Sequence, residues 1–183
     1  MNKHYCTYND VHNAAMDIVL QMYKDGWRPD YIVGINRGGL PLALRISHLL
    51  DVTMYTLDVR LRDGTMGPES NCWMSEDAFG SVYVEDRDTV WGHTKSDPAA
   101  KKNILVVDDL NDTGATFDWI KKDWQSSCLP DDPNWDTVWG QNVRFAAMFE
   151  KSHTEFDGLN YVWKELDTSE GDPWVVFPWE LNK

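Results

Sequence analysis

Ile104-Leu105-Val106-Val107-Asp108-Asp109-Leu110-Asn111-Asp112-Thr113-Gly114-Ala115-Thr116 is the stretch on which the reading of this chain turns. Asn103 to Val107 is an apolar, largely β-branched run of the kind that forms a strand buried on both faces. Two carboxylates, Asp108 and Asp109, arrive at its open end; Asp108 to Gly114 then form a turn, and Ala115 to Trp124 a helix capped by Thr113. The first N–H groups of a helix have no helical partner and point outward, and the Thr113 and Thr116 hydroxyls add donors, so the turn is a nest for one phosphate group. The pair Asp108/Asp109 suits ribose hydroxyls or a hydrated Mg²⁺. Asp112, beside the cradle, is placed to handle a proton. The plainer alternative is an Asp-Asp helix cap followed by a Thr-Gly turn.

Outward from this stretch, strands and helices alternate. Val11, Ala14, Ala15, Ile18, Val19 and Met22 fall on one helical face, with Asn9 or Asp10 as N-cap and Gly26 past the end. Tyr31 to Ile35 reads as a buried strand, Asn36-Arg37-Gly38-Gly39 as a turn, Leu40 to Leu50 as an apolar helix and Val52 to Val59 as a second strand. Residues 60–102 are rich in glycine, proline and charge, with Val82-Tyr83-Val84 able to pair as a hairpin; a segment this long is functional or mobile. A Pro/Asp/Asn/Trp-rich connection over 125–141 leads to a strand from Val143 to Phe149, and 160–179 reads as two short strands about a Gly171-Asp172-Pro173 turn. The pattern predicts an α/β fold: a mainly parallel central sheet flanked by helices, with ligands beyond the carboxyl ends of the strands. Both suspicious turns, 36–39 and 108–116, fall at such ends.

Composition bounds the function. At 183 residues the chain is one domain, since roughly 150 residues is the usual domain size. Thirty acidic against 17 basic side chains give a formal charge of -13, which repels nucleic acid and anionic membranes, so a phosphate ligand must be held by a local site. No apolar run approaches the roughly 18 residues of a membrane span, and the start Met1-Asn2-Lys3-His4 does not lead into a signal peptide. Cys6, Cys72 and Cys128 are widely spaced and read as reduced thiols in a cytoplasmic protein. The five histidines show no metal-ligand spacing, and neither a P-loop nor a dinucleotide fingerprint is present.

The central stretch resembles the phosphoribosyl pyrophosphate (PRPP) motif of type I phosphoribosyltransferases: apolar run, Asp-Asp, two residues, Asp-Thr-Gly-x-Thr. Tyr31-Ile32-Val33-Gly34-Ile35-Asn36-Arg37-Gly38-Gly39-Leu40-Pro41-Leu42-Ala43 is similar to that family's diphosphate loop, where a peptide is often cis. Phe149-Glu150-Lys151, Tyr161-Val162 and Asp172-Pro173-Trp174-Val175-Val176-Phe177-Pro178-Trp179-Glu180 resemble the xanthine/guanine branch. In that branch the lysine is usually followed by Pro, whereas Ser152 stands here.

The resemblance implies a single domain: a core over about residues 27–150, a flexible catalytic loop within 60–102, and a small hood from the chain ends, 1–10 and 151–183. It implies PRPP contacts from Asn36, Arg37, Gly38, Asp108, Asp109, Asp112, Thr113, Gly114, Ala115 and Thr116. It also implies Mg²⁺ at Asp108 and Asp109, directly or through water, and a purine held by Lys151, Trp174 and the Val175 backbone, with Trp179 structural. Arg60, Arg62, Lys101 and Lys102 are further candidate cations, the last two reading as a solvated face. A homo-oligomer, dimer or tetramer, is expected, with no nucleic-acid or membrane partner.

The implied chemistry is attack of purine N9 on C1 of PRPP through an oxocarbenium-like transition state, with Asp112 holding or taking the N7 proton. A rival reading is a non-catalytic PRPP-binding regulator of the same fold. A second is an aspartic protease, echoed by Asp112-Thr113-Gly114, which requires an all-β fold.

Overall fold

Asn103 to Val107 does seed the sheet. The structure, a computed structural model, describes residues 3–59, 72–86 and 91–180. Strand β6 (Ile104–Asn111) is the middle of a five-stranded parallel sheet of order β3-β2-β6-β7-β8, with β2 at Tyr31–Asn36, β3 at Thr53–Asp58, β7 at Val143–Lys151 and β8 at Leu159–Leu166. Alternate side chains of β6 go to opposite faces. Leu105 and Val107 join α1 (Tyr8–Lys24) and α2 (Leu40–Leu50) in one buried cluster. Ile104 and Val106 join α3 (Cys72–Phe79) and α4 (Ala115–Ser127) in the other. This two-faced parallel sheet excludes the all-β protease reading. Among the described residues no helix is long and apolar enough to cross a membrane, and the three cysteines are free thiols.

Several boundaries differ from expectation for definite reasons. Helix α1 starts at Thr7, not Asn9 or Asp10: the Thr7 hydroxyl accepts from the Asp10 N–H at 3.1 Å while the Asp10 carboxylate accepts from the Thr7 N–H at 2.8 Å, a capping box. Strand β6 runs on through Asn111, so Asp108 and Asp109 are strand residues; its ladder with β7 continues to Asn111↔Glu150 and shortens the turn to 112–114. Helix α4 is capped by Gly114 at φ +87°, not by Thr113, whose hydroxyl only reaches the Ala115 N–H at 3.4 Å.

In the 60–102 segment, residues 60–71 and 87–90 lie outside the described residues, and with them Arg60, Arg62 and part of the expected catalytic loop. The described part holds the unforeseen α3 and the expected hairpin, β4 (Ser81–Val84) against β5 (His93–Ser96). The 125–141 connection is an aromatic wedge: Trp135 is buried, donates its indole N–H to Cys128 O at 2.8 Å and stacks on Trp139 at 5.4 Å.

The chain ends meet in a two-stranded parallel ribbon, β1 (Lys3–Tyr5) with β9 (Trp174–Val176), the small hood. β8, assigned to the hood from sequence, belongs to the central sheet instead. It is parallel to β7, yet only residues 152–158 connect them, so after the turn at Ser152 and His153 the chain must run back along the sheet nearly extended. It carries Phe156 into the α4-side core.

Candidate functional site

The carboxyl ends of β2, β6 and β7 lie side by side, and the residues singled out from sequence cluster there. At the end of β2 the Asn36–Arg37 peptide is cis. The Asn36 side-chain amide donates to Asp58 at 2.6 Å and ties β2 to β3, while Arg37 is exposed and makes no ion pair with any described residue. Gly38 and Gly39 are glycines because β6 comes too close for anything larger. A Cβ on Gly38 would stand 2.1 Å from the Asp109 carboxylate, and one on Gly39 2.4 Å from Val107 O. The 36–39 turn is thereby seated directly on Asp108 and Asp109.

Asp108 is buried, its Oδ1 accepting the Asp109 N–H at 3.0 Å. Burial, and then the neighbouring Asp109 charge, raise its carboxyl well above the usual carboxylate range. Burial likewise pushes Asp109 up to about 6. No cation among the described residues pairs with either. Two adjacent all-oxygen donors, both shifted upward by burial with no positive charge beside them, are the donor set a hydrated Mg²⁺ fits.

Past the end of β6, Gly114 adopts a left-handed conformation against Phe156, where a Cβ would stand 2.3 Å from the phenylalanine Cβ. This opens α4 with the N–H groups of Gly114, Ala115 and Thr116 free of helical partners. Asp112 sits just ahead of them, its side chain 48% exposed. Lys151, the last residue of β7, reaches across: its Nζ is 3.2 Å from Asp112 Oδ1 and 2.6 Å from Asp172 Oδ1. Only 4% of Lys151 is exposed. Burial alone would lower its ammonium, but hydrogen bonds to Asp172 and Asp112 outweigh that and hold it above its ordinary value. Of its three N–H donors two serve these carboxylates, which leaves one for a ligand oxygen.

Trp174 is 52% exposed at the start of β9, and Val175 beside it is buried. Asp172 touches Lys151, and two residues of chain span at most about 7 Å, so the Trp174 backbone lies within a nucleotide's reach of Lys151. Trp179 stacks on Phe177 at 4.9 Å and packs on the core, a structural role. Lys101 and Lys102 precede β6, so the full strand, roughly 25 Å long, separates them from Asp112, and the Lys101 ammonium donates to Thr137 at 2.9 Å; they are outside the site.

Two site residues escaped the sequence reading. Asp172, which the sequence marks as a turn residue and the start of the tail motif but gives no role, closes on Lys151, and His153, without ligand spacing, places Nε2 3.0 Å from Asp112 Oδ1. The one signal for His153 was its place two residues beyond Lys151 on a strand-end turn.

Comparison with known proteins bears on the fold described above. The family described as the phosphoribosyl transferase domain matches residues 5–182. The xanthine-guanine phosphoribosyltransferase of Cereibacter sphaeroides is 24% identical to this chain over 183 residues, covering 97% of the chain and 86% of the relative. The crystal structure of a purine phosphoribosyltransferase from Pyrococcus horikoshii superposes with a TM-score of 0.62 at 24% identity, over 98% of this chain and 95% of that one. The xanthine-guanine-hypoxanthine phosphoribosyltransferase of Helicobacter pylori gives 0.60 at 18% identity, over 99% and 95%.

Proposed function

Because the chain belongs to the phosphoribosyl transferase domain family, we propose that it transfers the 5-phosphoribosyl group of PRPP to N9 of a 6-oxopurine (guanine, xanthine or hypoxanthine), releasing diphosphate in purine salvage. The observation that carries this reading is the 3.2 Å approach of Asp112 and Lys151 at the mouth of the α4 nest. An acceptor and a cationic donor side by side match the N7–H and O6 edge that a 6-oxopurine presents and that a 6-aminopurine does not.

In this mechanism the Gly114–Thr116 N–H groups and the Thr113 and Thr116 hydroxyls hold the 5′-phosphate. The turn Asn36-Arg37-Gly38 holds the diphosphate, with Arg37 offsetting its charge. Asp108 and Asp109 fix the ribose hydroxyls and would hold Mg²⁺, which supplies neutralisation of the diphosphate when bound. Lys151 orients the base through O6, and Trp174 covers its plane, with the Val175 backbone at its edge. As the C1–O bond to diphosphate breaks and the N9–C1 bond forms, positive charge on the ribose is balanced by the neighbouring carboxylates. Asp112 accepts the proton that the base loses at N7 and returns it to solvent.

The test is a diphosphate-release panel with PRPP, Mg²⁺ and each free nucleobase, pyrimidines included. Turnover confined to 6-oxopurines is the expected outcome. Stoichiometric PRPP binding with no release for any base would instead support the regulatory reading.

A further inference from the structure

We propose that His153 is a positioning residue for Asp112: together with Lys151 it fixes one carboxylate oxygen, so that the other is presented to the purine. This rests on the transferase reading above. Both donors converge on the same atom, since Lys151 Nζ lies 3.2 Å and His153 Nε2 3.0 Å from Asp112 Oδ1. Oδ2 has no hydrogen-bond partner among the described residues. An ionised carboxylate is acceptor-only, so His153 meets it with a hydrogen on Nε2. Two donors on one oxygen fix the rotation of the carboxylate about its side-chain bonds. They also leave the free lone pairs on Oδ2, where the N7 proton would arrive.

The contact is built into the backbone. Residues 151–154 form a tight turn closed by the Thr154 N–H donating to Lys151 O at 3.0 Å, which puts His153 at its third position. The turn is pinned from the other side by Ser152, whose N–H donates to Leu166 O at 3.0 Å and whose hydroxyl accepts the Thr168 N–H at 3.0 Å. A proline at 152 would lack that N–H. Beyond the turn, the Glu155 N–H donates to Thr113 O at 3.3 Å and Phe156 packs beneath Gly114. The strand-end turn of β7 and the phosphate turn of β6 are thus locked at successive points, and His153–Asp112 is the one of these contacts that reaches a reacting group.

The experiment is steady-state kinetics of the full chain with hypoxanthine and guanine, comparing the wild type with His153→Ala and His153→Gln. The His153 side chain is 39% exposed, so neither variant opens the core. His153→Ala is expected to lower kcat about tenfold with the KM for PRPP unchanged. His153→Gln, whose amide nitrogen falls near the position of Nε2, is expected to recover to within about threefold of wild type. In an Asp112→Asn background His153→Ala should add no further loss, the coupling expected of residues acting through one another. Three results would overturn the proposal: kcat within twofold of wild type in His153→Ala, no recovery in His153→Gln, or additive losses in the double variant. A wild type that turns over no purine is a separate result, and it removes the transferase reading along with the proposal.

Discussion

Two pairs of carboxylates stand at neighbouring strand ends and behave in opposite ways. Asp108 and Asp109 are backed by glycine, meet no described cation and are pushed towards their protonated forms by burial. Asp112 and Asp172 share the buried ammonium of Lys151 at 3.2 and 2.6 Å and leave their remaining oxygens towards solvent. One pair carries its own cation; the other waits for an external one. The proposed chemistry needs this division: the ribose and diphosphate come with a divalent ion, whereas a neutral base does not. It also accounts for how a protein of charge -13 can hold a polyanion, because the charge is offset group by group at the mouth of the sheet and not by the overall field.

The comparison breaks most sharply at Asp112. Asp112→Asn keeps the shape of the side chain and the neighbours of Lys151 but removes the proton acceptor. Loss of general-base function lowers kcat about 10²–10⁴-fold. PRPP affinity, measured by calorimetry, should stay within a few-fold, since the proposed nest of backbone N–H groups and threonine hydroxyls is left intact. Unchanged turnover with PRPP still bound would remove Asp112 from the chemistry.

Replacing the internal cation should turn the second pair into a likeness of the first. Lys151→Met leaves Asp112 and Asp172, whose oxygens lie within 4.8 Å, with no ammonium between them. The expected loss is about 10²-fold in kcat/KM for the base, with the PRPP terms little changed. The stability effect is smaller, about 1 kcal/mol, because the two half-exposed carboxylates can rehydrate. Its pH dependence has a definite sign. The ammonium is held above its ordinary value, so its stabilisation is complete below the unfolded-state pKa of about 10.4 and is lost as pH rises through the higher folded value. The difference in melting temperature between wild type and Lys151→Met should therefore be flat through neutrality and shrink only at strongly alkaline pH.

The legibility of these two regions from sequence follows the same division. The β6 end is a continuous string: a buried strand, adjacent carboxylates and a Thr-Gly turn into a helix are local features, and their backbone donors need no distant partner. The parallel α/β architecture was legible for a similar reason, from the apolar runs at 31–35, 104–107 and 143–149. The β7 end is assembled from residues far apart in the chain. Lys151 was reached only through the family resemblance, and nothing in the order of residues announces that His153 turns back onto Asp112 or that Asp172 closes on Lys151. Where β6 stops was missed as well, because acidic side chains read as turn-formers unless the ladder to β7 is known. The helix α3 lies in a stretch whose glycines and charges mask its short apolar face of Met74, Ala78 and Phe79.

The smallest effect tests the waiting pair. Asp109 is raised to about 6 from 3.8, so the folded protein binds this proton more tightly than the unfolded chain does. An acid shifted upward costs stability where it is ionised: the penalty is absent below the unfolded value, grows between about pH 4 and pH 6, and is complete above the folded value. Its ceiling is roughly 3 kcal/mol, and sharing of the proton with Asp108 makes the realised figure smaller. Asp109→Asn removes the charge and keeps the shape over Gly38. With chelator present and no PRPP, its melting temperature should exceed that of wild type at pH 7.5, and the gap should close as pH falls to 4. Asp112→Asn, whose parent carboxylate already has Lys151 beside it, should show no such gain at pH 7.5. Equal behaviour of the two variants in that melt would mean that the carboxylate pairs are not electrostatically distinct, and the division of labour between them would have no physical basis.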